Sequence, residues 1–299
     1  MVTVTCAICD KNNPYTVLYP ENFNVERLDE SIFSARRLPD RVHYRIVRCN
    51  GCGLIFSNPI LELEKIEKLY KQSKMTYEEE LEDLKETYGY YLKTFEKFFP
   101  SKENLLEIGC GNGFFLERAL KLGFKNVYGV EPSKDAVNRA AVPAIKDKIV
   151  VDILKNGLFK HEFFDVICAF QVFDHISNPN EFLKICFNYL KKDGILFFIN
   201  HNVSALPARI LKSRCPIIDV EHIYLYDKNT QKRILEKNNF KVAEVFDVFN
   251  IYPIKYWLRM LPLPNVIKNF FLRLLKEIKI ADKKFKLMAG NMGIVAQKQ

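Results

Sequence analysis

No stretch of the sequence reaches about 18 consecutive apolar residues, so no membrane-spanning helix is expected. The longest apolar run, Phe163 to Phe173, is interrupted by Asp165 and reads as a buried strand. No charged start leads into an apolar run and a small-residue cleavage site, so no secretory signal is expected. Internal repeats and low-complexity tracts are absent, which sets aside solenoid and linker architectures. Histidine is scarce: His43, His161, His175, His201 and His222 are the five in 299 residues. These absences leave a soluble chain with a cytoplasmic location as the expectation.

What is present is a chain 48% apolar, long enough for a large core. One catalytic domain with a smaller attached module is expected. The eight cysteines fall into two sets. Cys6, Cys9, Cys49 and Cys52 form two C-x-x-C pairs, whereas Cys110, Cys168, Cys186 and Cys215 lie in apolar segments. In a reducing compartment, paired spacing of this kind points to metal rather than disulfides. Four thiolates satisfy tetrahedral Zn²⁺ with no position left for water, so a structural zinc knuckle is expected. A redox role and fortuitous free thiols are the competing readings.

The net charge of +9 is uneven. From Asn250 onward, ten Lys and Arg face only Glu277 and Asp282, a net of +8. The first 249 residues are nearly neutral. A basic end is a different signal from general basicity, and aromatics without a basic groove make no case for nucleic acid. Apolar residues such as Trp257, Ile267, Phe270 and Leu274 interleave with Lys255, Arg259, Lys268 and Arg273. That pattern suits a helix packed on the sheet with a solvated basic face, a lid over an anionic substrate, or peripheral membrane contact through residues 251–280.

Four regions follow. Residues 1–60 read as the zinc-binding module, 61–100 as a helical connector, 101–250 as a Rossmann-like domain, and 251–299 as a basic helical segment with a final strand. Helices are expected at Leu61–Tyr70 and Leu81–Phe99, where apolar residues recur at three and four. Beyond Pro100, short apolar runs (Asn104–Ile108, Asn126–Val130, Lys148–Val151, Phe164–Phe170, Ile195–Asn200) alternate with amphipathic stretches (Gly113–Leu122, Lys134–Ala141, Pro179–Leu190). Such alternation implies an α/β fold, a mostly parallel sheet with helices on both faces. A further helix at Lys228–Asn238, a strand at Phe240–Val248, helical residues 251–280 and a last strand at Gly293–Gln297 complete the expectation.

The strongest local signal is Glu107-Ile108-Gly109-Cys110-Gly111-Asn112-Gly113, where a strand gives way to a helix. Glycines there let the backbone turn tightly and approach a ligand closely. The dinucleotide pattern is G-x-G-x-x-G; this one is G-x-G-x-G with an acid two residues ahead. S-adenosylmethionine has no pyrophosphate to cradle but carries a sulfonium and an ammonium, which suit a nearby carboxylate. Glu131 ends the next strand, where a carboxylate can accept both ribose hydroxyls. Asp152 is placed to accept from the adenine amino group. Phe170 and Gln171 end the fourth strand and border the methionine part.

In this order the segments resemble the class I methyltransferases over about residues 101–248. That resemblance implies a Rossmann-like fold with a seven-stranded sheet, S-adenosylmethionine as cofactor, and Glu107, Gly109, Cys110, Gly111, Gly113, Glu131, Asp152, Phe170 and Gln171 as its contacts. A zinc knuckle ahead of such a domain is similar to the C-methyltransferases of deoxysugar biosynthesis, although the additional C-terminal α/β domain of that family is not expected here. From them come an expected sugar or nucleotide-sugar acceptor and a Glu221-His222 pair as general base. His175 is expected to assist and Tyr77 to reach over the cofactor. Methyl transfer to carbon or oxygen of a sugar or similar small metabolite is the leading reading. The alternatives are a lipid or lipid-linked glycan acceptor at the membrane surface, and a non-catalytic binding module.

Overall fold

The computed structural model describes residues 1–10, 14–23, 41–76, 78–261 and 263–299. Its strands and helices are, in chain order, β1 (Tyr15–Tyr19), β2 (Ile46–Cys49), β3 (Ile55–Ser57), α1 (Leu63–Gln72), α2 (Leu81–Thr94), β4 (Asn104–Ile108), α3 (Phe114–Lys121), β5 (Asn126–Val130), α4 (Lys134–Asn138), α5 (Pro143–Lys146), β6 (Ile149–Val150), β7 (Phe164–Phe170), α6 (Pro179–Tyr189), β8 (Leu190–His201), α7 (Leu206–Leu211), β9 (Tyr224–Leu225), α8 (Lys228–Lys237), β10 (Phe240–Pro253), α9 (Ile254–Met260), α10 (Asn265–Glu277) and β11 (Lys284–Lys298).

Seven strands form one sheet in the order β10-β11-β8-β7-β4-β5-β6. The pairings β8–β7, β7–β4, β4–β5 and β5–β6 are parallel, and β11 runs antiparallel between β8 and β10. This is the Rossmann-like methyltransferase fold. Strand order reverses between β4 and β7, and such a switch point opens a crevice at the carboxyl ends of the strands.

β7 and the inner part of β8 are buried and mainly apolar because both faces are covered. Successive side chains point to opposite faces with period two. In β8, Ile195, Phe197 and Ile199 pack toward α2 and α3, while Leu196 and Phe198 pack toward α6 and α8. All five are at most 1% exposed. Fully burying one such side chain stabilises by about 1.5–3 kcal/mol, so the central strands fix the register of everything that projects from their ends.

Local signals set the helix boundaries. Asn178 accepts from the Glu181 amide ahead of Pro179, which opens α6 without a lost hydrogen bond. Asp227 and Thr230 cap α8 reciprocally.

The second sheet joins the N-terminal segment to the large domain. Its antiparallel order is β1-β2-β3-β9, and β9 comes from beyond residue 220. Val47, Cys49, Phe56 and Leu54 share one apolar layer with α1, α6 and α8.

The basic C-terminal region contains more strand than its sequence indicates. β10 continues through Pro253 by pairing Asn250 to Pro253 with Leu287 to Lys284. The helical expectation for residues 251–280 is therefore met only by α9 and α10. Among the described residues, no helix is long and apolar enough to cross a membrane.

Candidate functional site

A cavity of about 580 Å³ opens at the switch point and runs from β5 to the segment ahead of β9. That volume falls within the range of small-molecule sites. One end is formed by the turn after β4. Gly109 and Gly113 have φ of +70° and +78°, a region L side chains rarely adopt. A Cβ on Gly109 would meet Val172 Cγ2 at 2.4 Å, and one on Gly113 would meet Ile145 Cγ2 at 2.5 Å. Glycine is therefore required twice, once for conformation and once for space.

The Gly111 amide donates to Glu131 Oε2 at 2.9 Å, and the Ser133 amide donates to Oε1 at 2.8 Å. The carboxylate at the end of β5 is thereby fixed against the turn. A carboxylate offers about four lone-pair positions; the two backbone bonds leave others for a ligand's hydroxyls. Glu107 is buried beneath the turn, and its Oε2 has no hydrogen-bond partner among the described residues. Burial, reinforced by the charge of Glu131, pushes the Glu107 carboxyl well above the usual carboxylate range.

Five expected cofactor residues line the cavity: Gly109, Glu131, Asp152, Phe170 and Gln171. Gln171 has φ of +57° at the end of β7, and its Oε1 is buried without a hydrogen-bond partner among the described residues. Asp152 accepts from the Ile153 amide and pairs with Lys71 and Lys155. The other four expected contacts, Glu107, Cys110, Gly111 and Gly113, are not among the residues that line the cavity. The Cys110 side chain turns away from the cavity; a Cβ on Gly129 would meet its sulfur at 2.5 Å.

The other end gathers polar side chains from four segments. Tyr70 comes from α1, His175 from the turn after β7, His201 from the end of β8, and Asp219, Glu221 and His222 from the loop before β9. All six line the cavity. The Tyr70 hydroxyl and His175 Nδ1 are hydrogen-bonded at 3.0 Å. His222 Nδ1 donates to Asp219 Oδ1 at 2.8 Å, and the backbone amides of Glu221 and His222 donate to that same oxygen. The His201 ring meets Asn291 Oδ1 through Nδ1 at 2.8 Å. The His222 ring centroid lies 4.6 Å from that of His175 and 4.9 Å from that of His201.

Burial disfavours a charge on all three rings. For His222 the carboxylates of Asp219, Asp174 and Glu221 overcome that penalty and raise its pKa to about 9. For His175 and His201, burial is reinforced by the charge of His222, and both fall to about 4.

The N-terminal sheet holds this loop in place. Ser57 Oγ donates to the His222 carbonyl at 3.1 Å, and the Ser57 amide donates to the Ile223 carbonyl. The Ile223 amide in turn donates to the Asp174 carbonyl at 2.9 Å.

Beyond the cavity, Cys6, Cys9, Cys49 and Cys52 bring their sulfurs within 4.8 Å of one another. Cys6 and Cys52 sulfurs are 3.3 Å apart, and those of Cys9 and Cys49 3.9 Å apart. Thiolates on one zinc, each at about 2.3 Å, lie about 3.8 Å from each other, so the set fits a tetrahedral ion. The Ala7 carbonyl inside the first knuckle accepts from Asn180 and Lys237, which seats the knuckle on α6 and α8.

Tyr77 lies outside the described residues. His43 is buried against Tyr44 and Tyr19, and His161 packs on Tyr189; neither lines the cavity. Sequence reasoning gave no role to Tyr70 or Asp219. The spacing of Asp219 and His222, three residues apart in one loop, was the available signal for Asp219. Tyr70 carried none, because its partner is 105 residues away.

A family model described as a methyltransferase domain matches residues 77–245. The chain belongs to the methyltransferase domain family. Among curated relatives, this methyltransferase chain is 24% identical over 116 residues to the ubiquinone biosynthesis O-methyltransferase of Shewanella sp. (strain ANA-3), covering 36% of the chain and 49% of the relative. It is 32% identical over 112 residues to the protein of that name from Caulobacter vibrioides, covering 34% and 43%. The aligned parts span about half the length of these relatives. Among solved structures, a SAM dependent methyltransferase from Archaeoglobus fulgidus is similar with a TM-score of 0.47 and 18% identity, over 72% of this chain and 94% of that one. The methyltransferase match includes the glycine turn, Glu131 and the Asp174–His222 loops.

Proposed function

We propose that the chain transfers the methyl group of S-adenosylmethionine to an oxygen or carbon of a small hydroxyl-rich acceptor, a sugar or similar metabolite. The observation that carries this reading is the hydrogen bond from the Gly111 amide to Glu131, which sets the donor turn and a carboxylate on one wall of a cavity whose far end is imidazole and carboxylate.

The residues present fit the cofactor. The buried Glu107 and the partly buried Glu131 flank the turn, and a sulfonium and an ammonium would supply positive charge there. Glu131 keeps lone pairs for two ribose hydroxyls, and Asp152 lies further along the cavity toward the adenine position. When bound, S-adenosylmethionine supplies the electrophilic methyl group. The protein's share is to hold the acceptor in line and receive its proton. His175 and His201, kept neutral by burial, are placed to receive the proton; His222, whose carboxylate neighbours favour its charged form, is placed to hold the acceptor, and Glu221 lines the acceptor end beside it. In relatives called O-methyltransferases the acceptor atom is oxygen, which favours a hydroxyl here.

Zinc in the four-cysteine knuckle has a structural part in this reading. It ties the N-terminal sheet, and through Ser57 the His222 loop, to the large domain.

Calorimetry with S-adenosylmethionine, followed by incubation of labelled cofactor with a metabolite extract, tests the proposal. Micromolar binding and a labelled small molecule are expected. Binding that survives Gly111→Arg, or its absence in the unaltered chain, contradicts it and leaves a non-catalytic binding module.

One observation favours a second acceptor, a lipid or lipid-linked glycan at a membrane surface. α10 has no buried residue, and Val266, Phe270 and Met288 are 82%, 63% and 66% exposed beside Lys268, Arg273 and Lys286. Tyr256 and Met260 of the adjoining α9 line the cavity mouth. Sedimentation with anionic vesicles separates the two: binding lost in Phe270→Glu supports the membrane acceptor, and no binding by the unaltered chain removes it.

A further inference from the structure

Asp174 sits in the turn after β7, where it is 1% exposed and neither carboxylate oxygen has a hydrogen-bond partner among the described residues. An ionised carboxylate taken out of water without a partner costs several kcal/mol. Two imidazoles face it. His175 Nε2 lies 3.7 Å from Oδ1, and His222 Nε2 lies 3.8 Å from Oδ2. Both separations are too long for a hydrogen bond.

The orientation of the rings is decided elsewhere. Tyr70 engages Nδ1 of His175, and Asp219 engages Nδ1 of His222. Both rings turn Nε2 toward the same carboxylate from separate segments, and a ring held through Nδ1 has Nε2 left to bind a metal ion, which displaces any proton there. One ligand atom from each of the three residues lies within 4.8 Å of the others. Nitrogen and oxygen ligands of one ion, at about 2.0–2.2 Å from it, lie about 3.0–3.5 Å from each other. The two carboxylate–imidazole gaps, 3.7 and 3.8 Å, exceed that by a few tenths of an ångström, one at each carboxylate oxygen. The carboxylate behind His222 is also the partner that metal-bound histidines characteristically have, since it fixes tautomer and ring angle.

We propose that Asp174, His175 and His222 bind a divalent transition-metal ion at the acceptor end of the cavity. Two nitrogen ligands in three favour Zn²⁺ or Fe²⁺ over Mg²⁺, Ca²⁺ and Mn²⁺. His175 and His222 line the cavity, so the remaining coordination positions face it. A hydroxyl- or carbonyl-bearing acceptor binds there through its oxygen, opposite the donor turn. This use of the ion rests on the methyl-transfer reading; binding of the ion does not.

The probe is Co²⁺ added to the full chain freed of metal, with metal counted by elemental analysis after gel filtration and the ligand type read from the optical spectrum. Two equivalents per chain are expected: one with the intense sulfur-to-cobalt absorption of the four cysteines, the other with only weak ligand-field bands. Asp174→Asn removes the second equivalent and leaves the sulfur band. Asp219→Asn weakens the second site by about 10- to 100-fold. Should Asp174→Asn fail to fold, His175→Ala removes the same equivalent at a side chain 20% exposed. A single equivalent, carrying only the sulfur band, overturns the proposal. Two equivalents that both survive Asp174→Asn or His175→Ala overturn it as well. S-adenosylmethionine binding by the same samples separates the two readings. Cofactor binding with one metal equivalent contradicts the ion alone, and two equivalents without cofactor binding contradict methyl transfer alone.

Discussion

The two ends of the cavity are built in different ways. The donor end is local: one turn after β4, one carboxylate at the end of β5, and backbone amides that bind them together. The acceptor end is collected from α1, the turn after β7, the end of β8 and a loop that the N-terminal sheet holds from outside. Backbone makes the first end rigid, and side chains assembled at long range make the second. A donor common to many enzymes suits the first construction, and an acceptor particular to one enzyme suits the second.

If that contrast is right, damage at one end should leave the other intact. The largest effect is expected at Gly109. A valine there must adopt a left-handed conformation costing about 1–3 kcal/mol and must displace Val172. Cofactor affinity should fall about 100-fold or more, as measured by calorimetry, while Co²⁺ binding at the histidine cluster persists. Glu131→Ala removes charge-assisted hydrogen bonding to the ribose worth about 1.5–3 kcal/mol in all, so an about 10- to 100-fold weaker cofactor complex is expected with the fold unchanged. At the other end, His222→Ala should abolish turnover without altering cofactor affinity. A cofactor defect in that variant would merge the two ends into one unit.

The N-terminal module provides a finer test. Cys9→Ser should release one metal equivalent and lower the melting temperature. Turnover should fall more than cofactor binding, because Ser57 reaches the acceptor end and not the donor end. The smallest effect concerns the base of the sheet. Burial works against the charge of Asp165, but Lys191, the Asn104 amide and Ser101 prevail and hold its carboxyl below the ordinary value of 3.8. A carboxyl with a lower pKa folded than unfolded stabilises the fold above the unfolded value. That contribution fades as pH falls through the folded one. Asp165→Asn should therefore cost about 1–3 kcal/mol at neutral pH, and the gap from the unaltered protein should close in acid melts below pH 3.8.

The same contrast explains what the sequence disclosed. The donor end was legible because its parts are contiguous and glycine has few substitutes at positive φ. The parallel strands were legible because burial on both faces leaves unbroken apolar runs. The acceptor end was only partly legible. His175, Glu221 and His222 stood out as scarce or paired residues, but Tyr70 and Asp219 acquire meaning only from partners that folding brings near. β9 is two residues long and pairs with β3 from far along the chain, so no periodicity announces it. The extension of β10 through Pro253 escaped for a similar reason: its partner strand begins 31 residues later, at Lys284.

The most direct test is a crystal structure of the full chain with S-adenosylhomocysteine. The ribose hydroxyls should lie within about 3 Å of the Glu131 carboxylate, with the sulfur facing the cluster of His175 and His222. A nucleoside bound elsewhere, or a sulfur turned away from those imidazoles, would contradict a single cavity with a donor end and an acceptor end.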